Sequence, residues 1–162
     1  MNFLKKAIFA PLAFVAAAAS VHAVAAPINH TIQLEAFIPT NSFYVLPSDS
    51  SWIGNTQKLS YNPVTQDLTS LNKTFDVVHT AGSITAKLLS SAVISSGGDT
   101  IPLTVKFNNV ELSTVDQEVV NATQAATPSV VPFLITPVKP SGGYVPGTYI
   151  GNVQLSFDAV DI

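Results

Sequence analysis

The sequence predicts an all-β sandwich, and three observations predict it. Turn residues are frequent, with 11 Pro and 8 Gly among 162 residues. Between them run short apolar segments that alternate with polar residues, the period of a strand with one buried face. Hydrophobic residues make up 47% of the chain, enough for a packed core, and there is no Cys to staple a smaller one.

The first segment reads as an address rather than as part of that fold. Lys5 and Lys6 form a positive start, and the uncharged run Ala7 to Ala19 follows. Val21-His22-Ala23 then gives a small-x-Ala cleavage pattern, so residues 1–23 are expected to be a secretory signal peptide. Ala25 also satisfies the rule. The apolar run is short for a membrane span and carries Pro11. Removing 23 of the 162 residues leaves 139, with five Lys against ten carboxylates and a net charge of −5.

The strands are expected in the following order. Ile28, Ile32, Leu34, Ala36 and Ile38 alternate with polar neighbours. Leu59 and Tyr61 alternate up to Asn62-Pro63. Phe75 and Val77 precede His79 and an Ala81-Gly82 turn, after which Ile84, Ala86 and Leu88 keep the period. Ile101, Leu103, Val105 and Phe107 form the cleanest repeat, and Asn108-Asn109 suits a tight hairpin into Val110 and Leu112. Val131 to Ile135 is a continuous apolar run, as in a strand buried on both faces. Tyr149, Val153, Leu155 and Phe157 close the chain, with Gly151 where a neighbour could approach closely. Ser113 to Ala126 is read as a turn or two of helix with Ser113 as N-cap, or as an irregular crossover. Seven or so strands with regular turn signals imply one β-sandwich domain.

Composition excludes several function classes. All seven basic residues are Lys, and the net charge is −3, which removes the electrostatic footprint of a nucleic-acid binder. Thiol chemistry and Cys-ligated zinc are out. His30 and His79 are the imidazoles left after the signal, no paired His spacing suits a metal, and no Gly-x-Ser-x-Gly elbow is present. No cofactor and no enzymatic activity are expected. Ser96-Gly97-Gly98-Asp99 is a hairpin turn rather than a phosphate cradle, for it lacks the Lys and helix of a P-loop. His79 at a strand end reads as a partly exposed structural residue. Trp52 stands among Asp49, Ser50, Ser51 and Gly54. It is either a glycan-stacking platform or a cover over the end of the sandwich.

The segment Ile28 to Ile38 stands directly after the signal and is apolar on one face. It is either the first strand of its own sandwich or a strand that pairs with another copy of the chain. An extended peptide can complete an open sheet edge, its alternate side chains filling pockets. Burying Ile28, Ile32, Leu34 and Ile38 would contribute roughly 6–12 kcal/mol before ordering costs. That is comparable with the whole stability of a small domain, about 5–15 kcal/mol.

Several stretches, in order, carry a resemblance. They are Ile32-Gln33-Leu34-Glu35-Ala36, Leu59-Ser60-Tyr61-Asn62-Pro63, Ile101-Pro102-Leu103-Thr104-Val105, Leu112-Ser113-Thr114, Phe133-Leu134-Ile135-Thr136-Pro137, and Gly147 to Leu155 in the pattern G-x-Y-x-G-x-V-x-L. Together they resemble the alpha-class (class 5) chaperone–usher pilins, the family of the colonisation factor antigen and cable-pilus major subunits. The resemblance implies an immunoglobulin-like β-sandwich that lacks one strand. In the fibre, the gap is filled by the N-terminal extension of the next identical subunit. It further implies a periplasmic chaperone that lends a strand before assembly, an outer-membrane usher that exchanges it, and a separate tip adhesin.

On this reading residues 24–39 are the donor extension and 40–162 the pilin domain. Ile28, Ile32, Leu34, Ala36 and Ile38 are the donor residues, with His30 also on their face. The closing strand, through Tyr149, Val153, Leu155 and Phe157, walls the acceptor groove. The product is a structural major subunit of a surface fimbria that mediates adhesion, exported through the periplasm. The alternative is a self-contained secreted β-sandwich that binds a carbohydrate or surface ligand through Trp52.

Overall fold

The computed structural model describes residues 42–162. The signal segment and the five donor residues Ile28, Ile32, Leu34, Ala36 and Ile38 lie outside the described residues. Within them, two antiparallel sheets enclose one apolar core. The larger sheet has the order β1 (Phe43–Pro47), β4 (Leu71–His79), β10 (Ser129–Pro137), β7 (Asp99–Phe107) and β6 (Val93–Ser96), and β8 (Val110–Glu111) also pairs with β7. The smaller sheet is β11 (Leu155–Asp161), β5 (Gly82–Leu88) and β9 (Gln117–Val120). A short hairpin, β2 (Tyr61–Asn62) with β3 (Asp67–Leu68), stands apart from both.

Alternation builds the core. Phe133 faces Phe107 and Ile135 faces Val105 across β10 and β7, while Val131 faces Phe75 across β10 and β4. From the opposite sheet come Ile84, Ala86, Val119 and Val120. Phe75, Phe107, Phe133 and Phe157 meet edge-on or tilted, with ring centroids 4.8–6.3 Å apart. This geometry suits the quadrupoles of the rings. Their burial supplies much of the drive to close the two sheets.

The turns follow their residues. Asn108 and Asn109 take φ of 48° and 66°, the left-handed pair that a two-residue hairpin needs and Asn tolerates. The Asn108 side-chain amide then donates to the carbonyl of Val119 at 2.6 Å and to Gln124 Oε1 at 3.0 Å, tying the hairpin to β9. Ser96 to Asp99 is a hairpin turn with Gly97 at φ 60°, as its residues predict.

Four expectations are corrected. The helix does not start at Ser113. Residues 117–120 form β9, and the helix is one turn, α1 (Ala122–Ala125), capped by Asn121, whose side chain accepts from the amide of Gln124 at 2.9 Å. β-Branched Val119 and Val120 prefer the strand, where both are buried. Val131 to Ile135 is buried on one face only: Val130 and Pro132 are exposed and Leu134 is half-buried. Leu59 contributes no strand, and Tyr61 sits in a two-residue one. His79 is buried, at 3% exposure, rather than partly exposed. Its Nδ1 donates to the Ser83 carbonyl at 3.0 Å, and its Nε2 lies 3.0 Å from Asp161 Oδ1.

Gly151 is a required glycine. A Cβ there would stand 2.3 Å from the backbone oxygen of Val93 and 3.0 Å from Ile94 Cα. Gly151→Ala is therefore expected to pull the chain off β6 and to destabilise the fold by about 1–3 kcal/mol. Denaturant melts of the two chains check this.

Candidate functional site: an open sheet edge

β11 is the element whose surroundings are unusual. It pairs with β5 over its full length, Leu155 with Leu88, Phe157 with Ala86, Ala159 with Ile84 and Asp161 with Gly82. No strand lies on its other side among the described residues. Residues directly opposite in a ladder point to the same face. Leu88, Ala86 and Ile84 on β5 are buried, so Leu155, Phe157 and Ala159 point inward too. Yet Leu155 and Phe157 are only half-buried and Ala159 is exposed. Among the described residues, the inward face of β11 is thus open to solvent along its outer edge. Leaving such an edge uncovered exposes both backbone donors and apolar side chains.

The strand directions define the far side of the opening. β5 follows β4 through a tight turn, and β11 runs antiparallel to β5, so β11 runs parallel to β4 and antiparallel to β1. β1 is the last strand of the larger sheet, and β11 the last of the smaller one. At the other margin the chain passes from β8 to β9, which puts β9 on the β7–β8 side and β11 on the β1 side. Phe43 and Val45 of β1 face His79 and Val77 and pack against the core, as do Leu155 and Phe157. The margin between the sheets is therefore bordered by β1 and β11, with Phe157 of β11 set against the buried Phe75 and Phe107.

The four residues predicted to wall a groove divide into two pairs. Leu155 and Phe157 are on β11, at the opening. Tyr149 and Val153 are not on that strand, which begins only at Leu155. Their segment belongs to the margin of β6 instead: Ile150 and Ser95 exchange both backbone hydrogen bonds, at 2.9 and 3.0 Å. The Tyr149 hydroxyl donates back to the Val145 carbonyl at 2.9 Å, while Val153 packs against the core from outside any strand. Sequence reasoning missed Ala159, the third inward residue, because a small residue at the end of a run carries little periodic signal.

Trp52 ends a 3₁₀ turn, Ser50–Trp52, which Asp49 caps by accepting from the Ser51 amide at 2.8 Å. Hydrogen bonds from Ser51, aided by the Lys73 ammonium, hold the Asp49 carboxyl below its ordinary range. A lowered carboxyl stabilises above its ordinary titration range, and that contribution is lost as pH falls through the lowered value. The indole stacks on Phe133 at 6.2 Å, meets Phe75 edge-on at 5.9 Å and carries the Lys73 ammonium 5.5 Å from its ring centre. It borders a shallow depression of about 380 Å³ with Asn72, Thr74 and Pro132. These contacts use the ring for packing. Trp52→Ala is expected to cost about 2–3 kcal/mol of stability, read by thermal melting.

No group of three or more His, Cys, Asp or Glu side chains is placed to hold a metal among the described residues. No helix among them is long and apolar enough to cross a membrane.

Comparisons with known proteins agree with this architecture. A solved structure, the CooA pilin subunit from enterotoxigenic Escherichia coli, superposes with a TM-score of 0.62 at 20% sequence identity, covering 75% of this chain and 90% of that one. The likeness supports an immunoglobulin-like sandwich of the pilin type. No curated protein matches the sequence. The family model of the CS1 type fimbrial major subunit matches residues 28–158. The chain thus belongs to the CS1 type fimbrial major subunit family and is a structural subunit of surface fimbriae, built from repeated copies of itself.

Proposed function

We propose that the subunit polymerises by donor-strand exchange, with the opening between β1 and β11 as the acceptor groove. One observation carries the reading: the inward face of β11 is open to solvent while its partners on β5 are buried. A strand laid along β11 would take up its free backbone groups and cover Leu155, Phe157 and Ala159. The chain itself supplies a matching strand. Ile28, Ile32, Leu34, Ala36 and Ile38 present apolar side chains at period two, ahead of β1 in sequence. Donated to the next copy, they fill its groove, and repetition makes a fibre.

The same opening explains the expected partners. An exposed apolar groove in the periplasm needs temporary cover, which a chaperone's lent strand provides, and an outer-membrane usher exchanges it for the donor. Residues 1–23 act as the signal peptide for that route. A tip adhesin is a separate chain, and adhesion is a property of the fibre. The subunit performs no catalysis.

Amide hydrogen exchange tests the groove. In assembled fibres the β11 amides that face away from β5 are expected to exchange at least a hundredfold more slowly than in dissociated subunits. Equal exchange in both states would place the docking edge elsewhere.

A further inference from the structure

The start of β1, the β4–β5 turn and the chain's last residues form one tied block. The Thr80 amide donates to the Ser42 carbonyl at 2.9 Å, and the Ile162 amide to the Ala81 carbonyl at 3.2 Å. His79 Nε2 meets Asp161 Oδ1 at 3.0 Å. Gly82 lies so close to β11 that a Cβ on it would stand 1.9 Å from the Val160 oxygen. The outer surface of this block carries exposed apolar side chains. Ile162 is 94% and Val160 41% exposed and Ala81 is exposed, while Asp161 faces His79 and Asp158 shares the outward face of β11 with Val160.

This block is also where the chain leaves for its donor segment. Only Pro39, Thr40 and Asn41 separate Ile38 from Ser42. The four Cα-to-Cα steps from Ile38 to Ser42 span at most about 13–14 Å. A folded body of this length has a radius of gyration of about 14 Å. If Ile38 ends in a neighbour's groove, this linker, no longer than one radius of the body, holds the donor's block beside that neighbour. We infer that the surface formed by Ala81, Val160 and Ile162 is a second contact between successive subunits, seated on the copy that receives the strand. The inference rests on the donor-strand reading and adds a body-to-body interface to it. Because the block is internally tied, little ordering is lost when it docks.

The chain has no Cys, so a single nitroxide label on Ala81→Cys reports this surface alone. The label is compared in fibres, in subunits filled with a synthetic peptide spanning Ala26 to Pro39, and in fibres of a chain with Gly-Ser-Gly-Ser inserted between Thr40 and Asn41. The expected result is loss of the fast-tumbling spectral component in native fibres only. It persists in peptide-filled subunits and returns in fibres with the lengthened linker. Fast tumbling in native fibres overturns the contact while leaving strand exchange standing. Failure of the peptide to bind overturns the donor-strand reading, and this surface with it.

Discussion

A Phe107→Ala chain is expected to lose about 3–5 kcal/mol of stability. Phe107 is fully buried and sits where the two sheets meet. It touches Phe75 at 5.4 Å, Phe133 at 6.3 Å and Phe157 at 4.8 Å between ring centroids. It also pairs with Phe133 in the ladder, so the surrounding backbone is held and cannot collapse into the space vacated. The cavity term therefore adds to the lost transfer energy. Set against about 5–15 kcal/mol for a whole domain, the loss leaves few folded subunits. Equilibrium urea unfolding of subunits filled with a peptide spanning Ala26 to Pro39 measures it, and an unchanged midpoint would mean that the aromatic cluster is not the core. Because Phe157 leans on Phe107, the same substitution is expected to loosen β11 and weaken strand uptake beyond its effect on the fold.

Replacing both Ile32 and Leu34 with Asp is expected to abolish fibres. Each aliphatic contributes about 1.5–3 kcal/mol when buried. Each Asp adds the cost of placing a carboxylate in an apolar groove, which is larger still. The donor segment then has no net drive to enter. The body from Ser42 onward is untouched, so the variant should still take up a native peptide and melt like the unaltered body with that peptide. Electron microscopy shows the first effect and a thermal melt the second. Fibres of normal abundance would remove Ile32 and Leu34 from the assembly interface.

Much of the fold was legible because it is written locally. Period-two alternation marked Phe75 and Val77, Ile84 to Leu88 and Ile101 to Phe107, and all are strands with those residues facing inward. Asn108-Asn109 and Ser96 to Asp99 carry their turns in their own chemistry. What was misread depends on distant chain. The alternation of Tyr149, Gly151, Val153 and Leu155 looks like one strand. The close approach of Gly151 to Val93 draws its first half to β6 instead. His79 is buried by Phe43 and by Asp161, which lies 82 residues away, and no local pattern reports that. The run Val131 to Ile135 is apolar throughout, but composition alone does not say whether anything covers its outer face. Leu155 and Phe157 do share one strand, β11, as their period suggests. The far border of the proposed groove, β1 with Phe43 and Val45, emerges only from the order of the strands in the two sheets.

Strand donation between copies is tested most directly by a complementation melt. The chain from Thr40 to Ile162 is unfolded thermally alone, with a peptide spanning Ala26 to Pro39, and with the same peptide carrying Ile32→Asp and Leu34→Asp. An open groove predicts a body that is unstable alone and gains a cooperative transition with the native peptide only. A body that melts cooperatively by itself and ignores both peptides would contradict it, because the sandwich would then be complete without the segment.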